Sequence, residues 1–179
     1  MFAELDRLLE PVPLAARSWR LAADTPLQGW PRLVALGRGE GEAEERRRVR
    51  VEVTFAVDEA GEPVMTGRLA TTLRCICQRC LEEMELALVA EPKLFFGPVA
   101  RLGAAAEAGG FEACEPEPGA TLRQVLEDEL LLSVPAFPAH ADGKDCGPLA
   151  QKLAALEAPA GGDGSGSPFA VLAGLKRKN

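Results

Sequence analysis

Val49-Arg50-Val51-Glu52-Val53-Thr54-Phe55-Ala56-Val57 puts Val49, Val51, Val53, Phe55 and Val57 on one side of the chain, and Arg50, Glu52 and Thr54 on the other. A period of two belongs to a strand with one face in a core and one in water. Asp58-Glu59-Ala60-Gly61 follows as a turn, with Gly61 suited to a left-handed backbone. The chain then returns with Met65, Gly67, Leu69, Thr71, Leu73, Cys75 and Cys77 on a single face. Beyond a cysteine turn, Met84, Leu86, Leu88 and Ala90 alternate again, and Leu94 and Phe96 extend the run past a break at Pro92. Three consecutive strands with short connections predict an antiparallel β-meander.

Outward from this core the signals turn helical. Residues 4–23 lean toward helix, with Pro11 and Pro13 limiting where one can start. Residues 37–47, rich in Gly, Glu and Arg, read as a surface loop. Residues 100–120, ending in Glu115-Pro116-Glu117-Pro118-Gly119, read as an acidic mobile loop in which Cys114 is an incidental exposed thiol. Thr121 and Gln124 form a capping box at the start of a helix over 121–134. Its acidic trio Glu127-Asp128-Glu129 is expected on a solvated face. Pro135 ends the helix and the chain runs extended toward His140. A short helix is expected over 148–157.

The expected fold is α+β, an antiparallel meander sheet or partly closed barrel with a few helices packed on it. Residues 1–157 make one domain, 158–168 a linker rich in Gly and Ser, and 169–179 an apolar and basic tail helix. At 179 residues, 47% of them hydrophobic, the chain can bury one ordinary core. No apolar run approaches the roughly 20 residues that cross a bilayer, and Met1 to Glu10 lacks the pattern of a secretory signal. Five cysteines, an odd number, favour a reducing cytoplasm over a disulfide framework.

Charge narrows the partners. A net charge of −7 excludes a global field for gripping nucleic acid, which normally recruits many phosphates with basic residues. Local patches remain: Arg46, Arg47, Arg48 and Arg50, and the tail Lys176, Arg177 and Lys178. Either they are solvated charge or they face phosphate. With 5% aromatic residues and no tyrosine, an extended base-stacking platform is not expected.

Cys77-Gln78-Arg79-Cys80 carries the most chemistry. A Cys-x-x-Cys pair at a strand-to-turn junction is half of a tetrahedral metal site, a redox dithiol, or two thiols in a tight turn. His140 and Cys146 are the residues that could complete a Cys₃His zinc site, leaving Cys75 as packing. The redox reading lacks the helix N-terminus that normally activates such a pair. A lone histidine and the absence of a nucleophile elbow or phosphate-cradling loop leave no assembled catalytic pair, so no enzymatic activity and no small-molecule substrate are expected.

The order of motifs resembles the YceD-type large ribosomal RNA subunit accumulation protein family. The residues that carry it are Glu10-Pro11-Val12, Cys77-Gln78-Arg79-Cys80-Leu81 and Val125-Leu126-Glu127-Asp128-Glu129-Leu130. His140 and Cys146 follow, and the chain closes on Pro168-Phe169-Ala170-Val171-Leu172-Ala173-Gly174-Leu175-Lys176-Arg177-Lys178. Where some relatives carry several cysteines after the central helix, this chain has Cys146 with His140. Ser167 stands where relatives often have asparagine. The resemblance implies a non-enzymatic ribosome-assembly factor for processing or accumulation of large-subunit (23S) ribosomal RNA. Its partners would be precursor RNA or an early large-subunit particle, with Arg79 joining the two basic patches at phosphate. A protein-interaction adaptor for a basic ribosomal protein is the other function it allows, and neither involves a membrane.

Overall fold

The computed structural model describes residues 2–38, 46–142, 146–148 and 152. Residues 1–139 make one compact unit and 140–179 a second. The expected linker 158–168, the tail 169–179 with Lys176, Arg177 and Lys178, and most of the expected 148–157 helix lie outside the described residues.

The strand read from Val49 onward is β2 (Arg48–Val57). Val49, Val51, Val53 and Phe55 are buried, while Val57, at the strand end, is about half exposed. The Asp58 turn closes as expected. Gly61 has φ +86°, and the Asp58 carboxylate accepts from the amides of Ala60 (2.9 Å) and Glu62 (2.8 Å). The return strand is β3 (Pro63–Ile76), the longest element, paired antiparallel to β2 with Val53 opposite Gly67. Only glycine fits there, since a Cβ would stand 2.6 Å from the Glu52 carbonyl oxygen.

The other edge of β3 carries two strands in succession. β4 (Glu83–Ala90) pairs with Leu69–Ile76, and β5 (Lys93–Phe96) pairs with Val64–Thr66 after the break at Pro92. The meander is therefore present, and it is larger than expected. Arg20–Pro26, which begins inside the stretch 4–23 read as helix-leaning and runs past its end, is instead β1, antiparallel to β2. Glu112–Cys114, within the expected mobile loop, is β6, parallel to β5. The six-stranded sheet runs β1-β2-β3-β5-β6, with β4 also on β3, and stays open rather than closing into a barrel.

Short helices among the described residues accompany it, including α1 (Phe2–Leu5), α2 (Pro11–Ala16), α3 (Pro31–Leu36), α4 (Ala104–Ala108) and α5 (Leu122–Leu132). Prolines open α2 and α3 at their first turn, where a missing amide costs no hydrogen bond. The capping box forms, with the Gln124 amide donating to Thr121 Oγ1 (3.3 Å) and the Thr121 amide to Gln124 Oε1 (2.8 Å). Helices α2, α3 and α5 pack on one face of the sheet. Between the layers lie Trp30, Phe55, Met65, Leu69, Leu126 and Leu130, all fully buried.

Candidate metal centre

The β3–β4 connection is a tight knuckle that begins where Ile76 ends its strand. The Cys77 amide donates to the Glu82 carbonyl (2.9 Å) and the Leu81 amide to the Cys77 carbonyl (2.9 Å). Leu81 takes a left-handed φ of +61°, costly for a branched side chain, and its side chain is 66% exposed. Cys77 and Cys80 point inward and are buried, whereas Gln78 and Arg79 are exposed. The Arg79 amide donates to Cys77 Sγ at 3.4 Å.

After α5, Pro135 prevents continuation and the chain passes beside the knuckle, where the Gln78 amide donates to the Pro138 carbonyl at 2.7 Å. His140 follows two residues later. Cys146 is fully buried, and its Sγ lies 3.6 Å from His140 Nδ1. The ligand atoms of Cys77, Cys80, His140 and Cys146 all lie within 4.8 Å of one another, an arrangement compatible with a structural metal site. All five cysteines are outside any disulfide.

The donor set fits zinc. Three thiols and one imidazole are a tetrahedral structural set, and a zinc with bonds of about 2.3 Å to sulfur and 2.0–2.1 Å to nitrogen separates two such ligands by about 3.6 Å. The Cys146–His140 separation has that value. The redox reading loses its support in the same geometry, because the pair sits in an antiparallel hairpin rather than at a helix N-terminus. Cys75 is half-buried at the end of β3, and its thiol is pushed up by burial and by Cys77.

Cys114 departs from expectation. It is half-buried against the core on β6, and burial, with the charges of Glu129 and Asp128, pushes its thiol up to about 11. The acidic trio is corrected as well. Glu127 is 2% exposed, and its carboxylate accepts from the Arg32 amide (2.8 Å), Arg32 Nε (3.1 Å) and the Leu33 amide (3.2 Å). It thereby caps the first turn of α3, where unpaired amides favour an anion. Only Asp128 keeps an exposed carboxylate, paired to Arg32; Glu129 is half-buried, and burial, then Glu112 and Asp128, raise its pKa. Helical spacing carried the signal, because Arg123, Leu126, Glu127 and Leu130 share one stripe of α5. Arg123 is buried too, clasping Asp6 (2.6 and 3.0 Å) and lying 5.3 Å over the Trp30 ring.

Of the expected basic residues, Arg47, Arg48 and Arg50 border one shallow depression of the sheet, and Arg79 lies in the knuckle. Arg46, Arg48, Arg50 and Arg79 are exposed, and Arg47 is partly covered. Arg48 pairs with Asp24 (3.0 Å) and Arg47 with Glu85 (2.8 Å).

Residues 65–176, more than half the chain, match the family model described as large ribosomal RNA subunit accumulation protein YceD. The chain belongs to the YceD family. The match includes Arg79 and all four residues of the metal centre, while β1, β2 and their arginines precede it. Family membership ties the protein to accumulation of large-subunit ribosomal RNA, and the description names no chemical reaction. No solved structure matches the chain. No helix among the described residues is long and apolar enough to cross a membrane.

Proposed function

We propose that this protein is a non-enzymatic assembly factor for the large ribosomal subunit, acting in the cytoplasm on precursor 23S ribosomal RNA or an early particle. The family match carries the reading. In this account Arg46, Arg47, Arg48, Arg50 and Arg79, with Lys176, Arg177 and Lys178 of the tail, contact RNA phosphate, which sets affinity and its dependence on salt. Cys77, Cys80, His140 and Cys146 hold a structural zinc. The metal supplies cross-linking free energy and no reactive chemistry, since all four positions belong to protein ligands.

Depleting the protein from its cell tests the assembly role. Precursor large-subunit RNA should accumulate and mature large subunits fall relative to small ones. An unchanged precursor profile would sink it. Crosslinking in the same cells should recover precursor RNA on the protein.

A second reading has a specific observation behind it. Glu115, Glu117, Asp128 and Glu129 line one groove of about 640 Å³, and the chain carries −7 overall. That surface suits a basic ribosomal protein, with the protein as an adaptor. Crosslinks to a ribosomal protein and none to RNA would select it.

A further inference from the structure

The helices cover one face of the sheet, and among the described residues no helix covers the other face over β1 to β4. Toward β5 it closes, because Val64 and Phe95 are buried. Two shallow depressions, about 420 and 660 Å³, occupy successive outward positions of the same strands. Arg47, Arg48 and Arg50 border the first and Arg20 and Arg68 the second, against Asp24 and Glu52. Five arginines and two carboxylates leave +3 on this lining (5 − 2), in a chain of −7. At the rim Glu85 pairs with Arg47 and Glu91 with Arg68, and Arg48 pairs with Asp24. Arg20 and Arg50 are exposed and form no ion pair with any described residue.

The floor between these guanidinium groups is small: Ala22, Ala70, Thr72 and Ala87. Among the described residues, no aromatic side chain lines either depression. Single-stranded RNA is held chiefly by stacking bases on aromatic rings, whereas duplex RNA is held by its backbone and shape. Outward residues on one strand repeat every ~7 Å, so β2 holds the Cα positions of Arg48 and Arg50 in a fixed row.

We propose that this open sheet face grips the phosphate backbone of duplex RNA, with Arg20 and Arg50 making the first contacts. The inference rests on the proposed assembly function and narrows its partner to helical segments of precursor RNA. Asp24 and Glu52 limit how closely a second strand approaches, which favours a shallow backbone contact over deep groove insertion.

Fluorescence anisotropy on the full chain tests this with a short perfect RNA duplex and an unstructured single strand of equal length. The duplex should bind about tenfold tighter at moderate salt. The double substitution Arg20→Gln with Arg50→Gln should weaken duplex binding about tenfold and lower the log–log salt slope by about 1.8, the share of two lost phosphate contacts on a duplex. Arg20→Lys with Arg50→Lys should restore the slope. Both positions are exposed, and circular dichroism confirms that the variants keep the fold. Equal or tighter binding of the single strand overturns the proposal, as does a wild-type chain with no affinity for either RNA. An unchanged slope in the glutamine variant overturns it too, yet leaves the assembly role standing, because depletion reads that role independently. Competition by polyglutamate with the same dependence on Arg20 and Arg50 would reassign the face to an acidic protein.

Discussion

At the knuckle after β3 each half of the polar cluster is local, with Cys77 and Cys80 in one tight turn and His140 six residues before Cys146, although the two halves lie far apart in the chain. The carboxylate of Glu127, by contrast, finds its amide partners in Arg32 and Leu33, 95 and 94 residues away. Both regions bury groups that would be expensive to leave unpaired. The first brings together three thiols and an imidazole, a donor set that one metal ion could hold. The second balances itself, because α3 supplies amides and Arg32 supplies a guanidinium. The thiol–imidazole cluster is therefore compatible with a metal, whereas the Glu127 cluster is satisfied by its own protein partners.

This contrast is easiest to break at the cysteines. Cys77→Ser should abolish stoichiometric zinc and lower stability by roughly 3–5 kcal/mol, the scale of a lost metal tie. A strong chelator should bring the wild-type melting temperature down to that of the variant and leave the variant unmoved. Wild-type protein that purifies without zinc and melts identically with chelator would remove the metal from the account.

At the helix cluster, Glu127→Ala should cost roughly 2–4 kcal/mol in urea unfolding, because it strands two α3 amides and removes one partner of the Arg32 guanidinium. Zinc content should stay at the wild-type level, which separates the two regions. A cost near zero would mean that water serves those amides equally well.

Thr121→Ala sharpens the comparison by loosening the helix that carries Glu127. Losing the capping box should cost about 1 kcal/mol, measured as a shift in the urea midpoint without change of slope.

The smallest effect concerns Glu129. Burial, followed by the charges of Glu112 and Asp128, raises its pKa above the ordinary 4.5. A carboxyl raised in the folded state is protonated more readily there than in the unfolded chain. Ionising it therefore costs stability as pH rises from about 4.5 through the raised folded value. Glu129→Gln, which cannot ionise, should be slightly more stable than wild type at neutral pH and equal to it below about pH 4.5. Urea midpoints across that range check the sign, and a destabilised variant at neutral pH would reverse it.

Much of the scaffold was legible locally. The period of two from Val49 to Phe55, the αL glycine at position 61 and the Thr121–Gln124 cap each act within a few residues, and each formed. Arg20–Pro26 was missed because Arg20-Leu21-Ala22-Ala23 fits a helix as well as a strand, and pairing with β2 decides between them. Glu112–Cys114 was missed because three residues carry no period, and only β5 alongside makes them a strand. Glu127 was misplaced for a related reason: three adjacent acids look solvated, although one of them falls on the apolar stripe of α5.

The amino-acid order alone determined the central hairpins, the helix start at Thr121, the cysteine turn and the family, since these depend on neighbours close along the chain. Tertiary structure decided which carboxylate is buried, that β1 and β6 extend the sheet, and that its arginine-bearing face stays open. Those outcomes depend on partners tens of residues away, whose approach no local pattern encodes.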